Sequence, residues 1–93
     1  MPMRFLIPGP LQPFSGGRSS IAIDTSPSTV AEALAALAAL YPGLRERVVT
    51  EQGEVRPHVN VFVAEVNIRD ARGLETRLPE GCEIAILPNV SGG

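Results

Sequence analysis

Residues 29–43 read TVAEALAALAALYPG, and this stretch decides the architecture of the chain. Thr29 followed by Glu32 is a capping-box pair, in which each side chain satisfies a backbone N–H that the start of a helix leaves without a partner. Val30, Leu34, Leu37 and Tyr41 recur at helical spacing, with alanines at 31, 33, 35, 36, 38 and 39 between them. Pro42-Gly43 stops the run. The spacing predicts one main helix over residues 29–41, slim enough along its alanines to lie close against a sheet.

On either side of the helix the period changes to two. Met3, Phe5 and Ile7 alternate with Arg4 and Leu6, a short strand closed by Pro8. Residues 8–20 hold three prolines and the Gly16-Gly17 pair, so they read as a turn-rich loop. Ile21 and Ile23 share one face of a second strand, SIAID. After the helix, residues 44–49 read as an added helical turn and residues 50–57 as a polar loop with Gly53. Val59, Val61 and Val63 then alternate with Asn60, Phe62 and Ala64 in a strongly β-branched strand. Glu65-Val66 reads as a bend into a short strand, Asn67-Ile68-Arg69. Leu74 and Leu78 read as core plugs beside a loop at Gly73. In the last strand, residues 83–87, Ile84 and Ile86 point one way and Ala85 and Leu87 the other, until Pro88 ends it. Strands joined by hairpins with one helix among them predict an α+β domain: a mixed sheet of about four to five strands with the helix across one face, a β-grasp arrangement. Residues 1–88 form this domain and residues 89–93 a flexible tail.

Composition narrows the chemistry. Ninety-three residues make one domain with room for one core. Eight basic residues against ten acidic leave a net charge of −2, with no basic block to follow a phosphate backbone, so nucleic acid is not an expected partner. One cysteine excludes an internal disulfide and a cysteine-cluster metal site, and one histidine, His58, excludes a histidine-pair zinc site. The longest apolar run, residues 33–41, is nine residues against the roughly 20 that span a bilayer. The start, MPMRFLIPGP, lacks the order of a signal peptide. A soluble cytoplasmic protein is expected, with no membrane association. Every basic residue is arginine, so the chain offers no lysine amine.

Beyond Pro88 the chain reads Asn89-Val90-Ser91-Gly92-Gly93, five residues that reach roughly 17 Å when extended. Small side chains let such a backbone enter a narrow slot. A terminal Gly-Gly alone is weak evidence; directly after the last strand of a β-grasp pattern it is a strong signal. Here the chain resembles the ubiquitin-like sulfur carriers of the MoaD/ThiS group over essentially its whole length. The most specific part is residues 56–93, RPHVNVFVAEVNIRDARGLETRLPEGCEIAILPNVSGG, whose HVNVFV, NIR, GLET-L, EGCEI and ILP-V-GG pieces look most like the carrier of cysteine biosynthesis. The longer first loop, with PFSGG at residues 13–17, favours the same branch. Glu65 departs from an asparagine common in such proteins and Cys82 from an aspartate.

The resemblance implies that the chain is not itself an enzyme and binds no cofactor. An E1-like adenylyltransferase/sulfurtransferase would use ATP to adenylate the carboxylate of Gly93, and sulfur would then replace the adenylate to give a thiocarboxylate. Val90, Ser91 and Gly92 form the tail that enters the partner. The sulfur acceptor would be a cysteine synthase, with the large subunit of molybdopterin synthase or a thiazole-forming enzyme as alternatives. A ubiquitin-like modifier joined through Gly93 to lysines on other proteins, and a plain interaction module, stand as competing readings.

Other residues carry less. Cys82 beside Gly81 reads as an ordinary small residue in preference to a persulfide site. His58 has no carboxylate or cysteine at triad-like spacing and reads as a strand-edge histidine with local hydrogen bonds. Asp70 and Glu75 read as solvated, and Gly16-Gly17 lacks the spacing and lysine of a phosphate loop. Alternation sends Phe62 outward, together with Leu87 on the last strand and Leu6 on the first. These three either form an exposed partner-docking patch, or Phe62 is half-covered by an arginine stem.

Overall fold

The computed structural model describes residues 3–88. Five strands form one mixed sheet: β1 (Met3–Leu6), β2 (Ser20–Ile23), β3 (Val59–Val63), β4 (Val66–Asn67) and β5 (Glu83–Pro88), in the order β2-β1-β5-β3-β4. β5 lies in the centre, parallel to β1 and antiparallel to β3. Helix α1 (Val30–Leu40) crosses one face, followed by α2 (Pro42–Val48). This is the β-grasp expected from the order of elements.

The helix start departs slightly from a reciprocal capping box. Thr29 Oγ1 accepts the Glu32 N–H at 3.3 Å, but the Glu32 carboxylate accepts from the N–H of Ser28, one residue earlier, at 3.0 Å. Two donors are still satisfied. Val30, Ala33, Leu34 and Leu37 make the buried face of α1. They meet Phe5, Ile21, Val61, Ile84 and Ile86, all on the inner face of the sheet, in one core. Leu74 and Leu78 pack against it half-buried, as core plugs should.

Three local expectations need correction. Residues 44–49 hold more than an added turn: α2 is a separate helix, because Pro42, which cannot continue α1, fits the first position of a new helix. Residues 8–20 hold a 3-10 helix, Gly9–Phe14, that buries Leu11. Just beyond it Ser15 is fully buried, its hydroxyl 2.8 Å from the Arg18 carbonyl and 3.1 Å from that of Gln12. The β3–β4 bend falls at Ala64-Glu65, since Val63 pairs with Val66, and Ile68-Arg69 belong to a 3-10 turn, Ile68–Asp70. Asn67 starts that turn by accepting the Arg69 N–H on its side chain at 3.0 Å, and the turn drops Ile68 into the core. The expected flexible tail, residues 89–93, lies outside the described residues.

Candidate functional site

Two features converge on the end of β5. The first is the segment that flanks the strand where the tail begins. Pro88 is the last residue of β5 and pairs with Val59, the first of β3. Residues 56–59 are fixed by Arg69, whose Nη2 donates to the carbonyls of Arg56 at 3.0 Å, Pro57 at 3.3 Å and Val59 at 2.7 Å. Arg56 is tied down in turn, its Nε donating to the Glu46 carbonyl at 2.7 Å and its backbone N–H to the Val48 carbonyl at 2.9 Å. One guanidinium thus gathers three carbonyls, of which that of Arg56 also accepts the Val59 N–H at 3.0 Å, and it fixes the segment that leads into the strand paired with Pro88. Sequence reasoning missed this role of Arg69. An arginine beside a two-residue strand has no spacing signal that connects it to carbonyls ten to thirteen positions earlier.

The second feature is the outer face of the sheet. Leu6 and Phe62 both stand in register with Ala85, one on each side of β5. The three side chains form a row across β1, β5 and β3, roughly 10 Å wide at the usual strand spacing. Leu87, one rung nearer the tail, faces Asn60, whose Oδ1 accepts from Asn67 Nδ2 at 3.3 Å. Leu6 is 38% exposed and Leu87 46%, while Phe62 is half-buried. Alternation therefore assigned the face correctly, but Phe62 presents only part of its ring. Arg4 and Glu83, opposite each other on β1 and β5, border the row at the far end with unlike charges.

The remaining candidates divide. Gly93, Gly92, Ser91 and Val90 lie outside the described residues. Cys82 is half-buried against the core, and burial pushes its thiol above the ordinary value of 9.0, an effect its own backbone N–H partly offsets. Asp70 and Glu75 are exposed. His58 is exposed too, and its ring takes no part in the hydrogen bonds that hold its segment. Among the described residues no group of three or more His, Cys, Asp or Glu side chains could hold a metal ion. No helix among them is long and apolar enough to cross a membrane.

Comparison with known proteins agrees with this arrangement. The ThiS family model matches residues 5–93. The sulfur carrier protein CysO of Mycobacterium tuberculosis is 34% identical over 89 residues, 94% of this chain and 94% of that protein. Small archaeal modifier protein 3 of Haloferax volcanii is 39% identical over 66 residues, 71% of each chain. In the crystal structure of the Amycolatopsis orientalis BexX/CysO complex, one chain superposes with a TM-score of 0.87 at 30% identity, covering 98% of this chain and 99% of that one.

Proposed function

The chain belongs to the ThiS family, and from that premise we propose that it is a sulfur carrier loaded at Gly93 and serving cysteine synthesis. The observation that carries this reading is that the family match runs through Gly93, five residues beyond the central strand of the sheet. A carboxylate is a poor electrophile until one of its oxygens leaves as part of a better leaving group. In the proposed cycle an E1-like enzyme joins the Gly93 carboxylate to the α-phosphorus of ATP and releases pyrophosphate. A sulfide-equivalent nucleophile then attacks the acyl carbon and expels AMP, leaving a thiocarboxylate. The reacting group is the main-chain terminus, so the domain's work is to be recognised and to project it. The row of Leu6, Phe62 and Leu87 is the proposed docking face for the partner. Cysteine synthesis as the destination is supported by the likeness to proteins named CysO.

A second reading is favoured by the likeness to small archaeal modifier protein 3: conjugation of Gly93 to lysines of other proteins. One experiment separates the two. The chain is incubated with a cognate E1-like enzyme, ATP and a sulfur source, then alkylated, digested and examined by mass spectrometry at the C-terminal peptide. A thiocarboxylate on Gly93 supports the carrier. Isopeptide links from Gly93 to other proteins support the modifier, and an unchanged carboxylate with every plausible activating enzyme rejects both.

A further inference from the structure

A cleft of about 390 Å³ lies beside α2, lined by Glu46, Arg47, Arg56 and His58. Two guanidinium groups against one carboxylate give it a local charge of +1 with the imidazole neutral, on a chain whose net charge is −2. Both guanidinium groups are held in place. Arg56 Nε donates to the Glu46 carbonyl at 2.7 Å, which fixes the plane of a guanidinium that lines the cleft. Arg47 stacks over the Phe14 ring at 4.4 Å from the centroid, and that ring packs against the core. Planar donors fixed in advance lose little side-chain freedom when they bind a carboxylate.

The position of the cleft indicates what fills it. His58 immediately precedes Val59, the residue paired with Pro88 where the tail begins. The cleft therefore borders the end of the sheet at which the described part of β5 finishes. Gly93 lies five residues farther along the chain, so a nucleotide reacting there has no need of the cleft. We propose that the cleft of Arg47, Arg56 and His58 docks an acidic segment, carrying Asp or Glu carboxylates, on the protein that engages the tail. The surface guides approach by charge, separately from the apolar row on the outer sheet face.

The identity of the partner rests on the carrier reading, but binding to the cleft is tested without it. The full chain, labelled with nitrogen-15, is titrated with a capped tetraglutamate peptide, with capped tetraglutamine and with inorganic phosphate. The expected result is saturable shifts of the Arg47 and Arg56 Nε–H and His58 ring signals with tetraglutamate and none with tetraglutamine. Arg56→Gln and Arg47→Gln should each weaken this binding by about tenfold, whereas Arg4→Gln on the sheet should not. Arg47→Gln guards against a fold defect, because Arg47 makes none of the backbone bonds that Arg56 does. Shifts spread over all the arginines, binding indifferent to both cleft variants, or equal saturation by phosphate would each overturn the proposal. With a cognate activating enzyme, Arg47→Gln should raise KM in Gly93 adenylation and leave kcat unchanged; an unchanged KM also counts against it. A wild-type chain that is never adenylated sinks the carrier reading, and the peptide titration then decides the cleft by itself.

Discussion

Arg69 shows how much one side chain can organise. Its Nη2 reaches three carbonyls between residues 56 and 59. Arg69→Ala removes this donor, leaving the Arg56 carbonyl with the Val59 N–H alone, and should cost about 1–3 kcal/mol in denaturant unfolding. Arg69→Lys should recover only part of it, because an ammonium cannot reproduce the planar fork. Ala64 is a second case. It opens the two-residue turn between β3 and β4 with a φ of 57°, a backbone region where a Cβ is crowded. Ala64→Gly should therefore stabilise the domain by roughly 0.5–1 kcal/mol, read as a rise in the denaturant midpoint. A fall would show that the turn bears no strain. Cys82 gives a prediction in pH. Burial favours its neutral thiol in the folded state, so this contribution to stability is intact below about pH 9 and is lost as pH rises through the raised value. At about pH 8 iodoacetamide should modify Cys82 more slowly in the native chain than in the denatured one.

At the scale of elements, α1 and its contacts decide whether the domain folds. Leu34 sits at the centre of the helix face that meets the sheet. Leu34→Ala should cost about 2–5 kcal/mol in thermal or chemical unfolding, a large share of what a domain this size possesses. Most of this level was legible in the sequence, since a run of valines at 59, 61 and 63 and isoleucines at 84 and 86 leaves only one face for the core. The misses share a cause. Ser15 and Ile68 are buried by 3-10 turns whose side-chain and backbone bonds close over three residues, too short for any hydrophobic period to register. β4 has two residues, so alternation has nothing to count. For the site, alternation found the outward row on three strands, but the half-burial of Phe62 depends on neighbours from other strands. The cleft is a tertiary product as well: Arg47 and Arg56 come from α2 and from the loop that returns to β3.

At the scale of the whole molecule, the core found among the described residues lies within the stretch that closes with β5. Deleting Gly93, or adding one residue after it, should leave the melting temperature unchanged and abolish sulfur loading in the assay described above; loading of either variant would count against the terminal chemistry. The lysine-free composition matters here too. An activated Gly93 meets no side-chain amine on its own chain or on a second copy, so the modifier reading allows single attachments to other proteins but no chain built through lysines of this one.

The central place of β5 has a mechanical side. β1 runs with its residues 83–85 and β3 runs against its residues 84–88. A pull applied along the strand at Pro88 acts across its interstrand bonds. Such a load falls on the β3 ladder and, farther in, on the β1 ladder as well, and loads them in shear, where an edge strand peeled from its end would give way one rung at a time. Under the proposed cycle an enzyme that hauls on the last glycine would tug against an anchored rod, and the domain would keep its shape while its end is held.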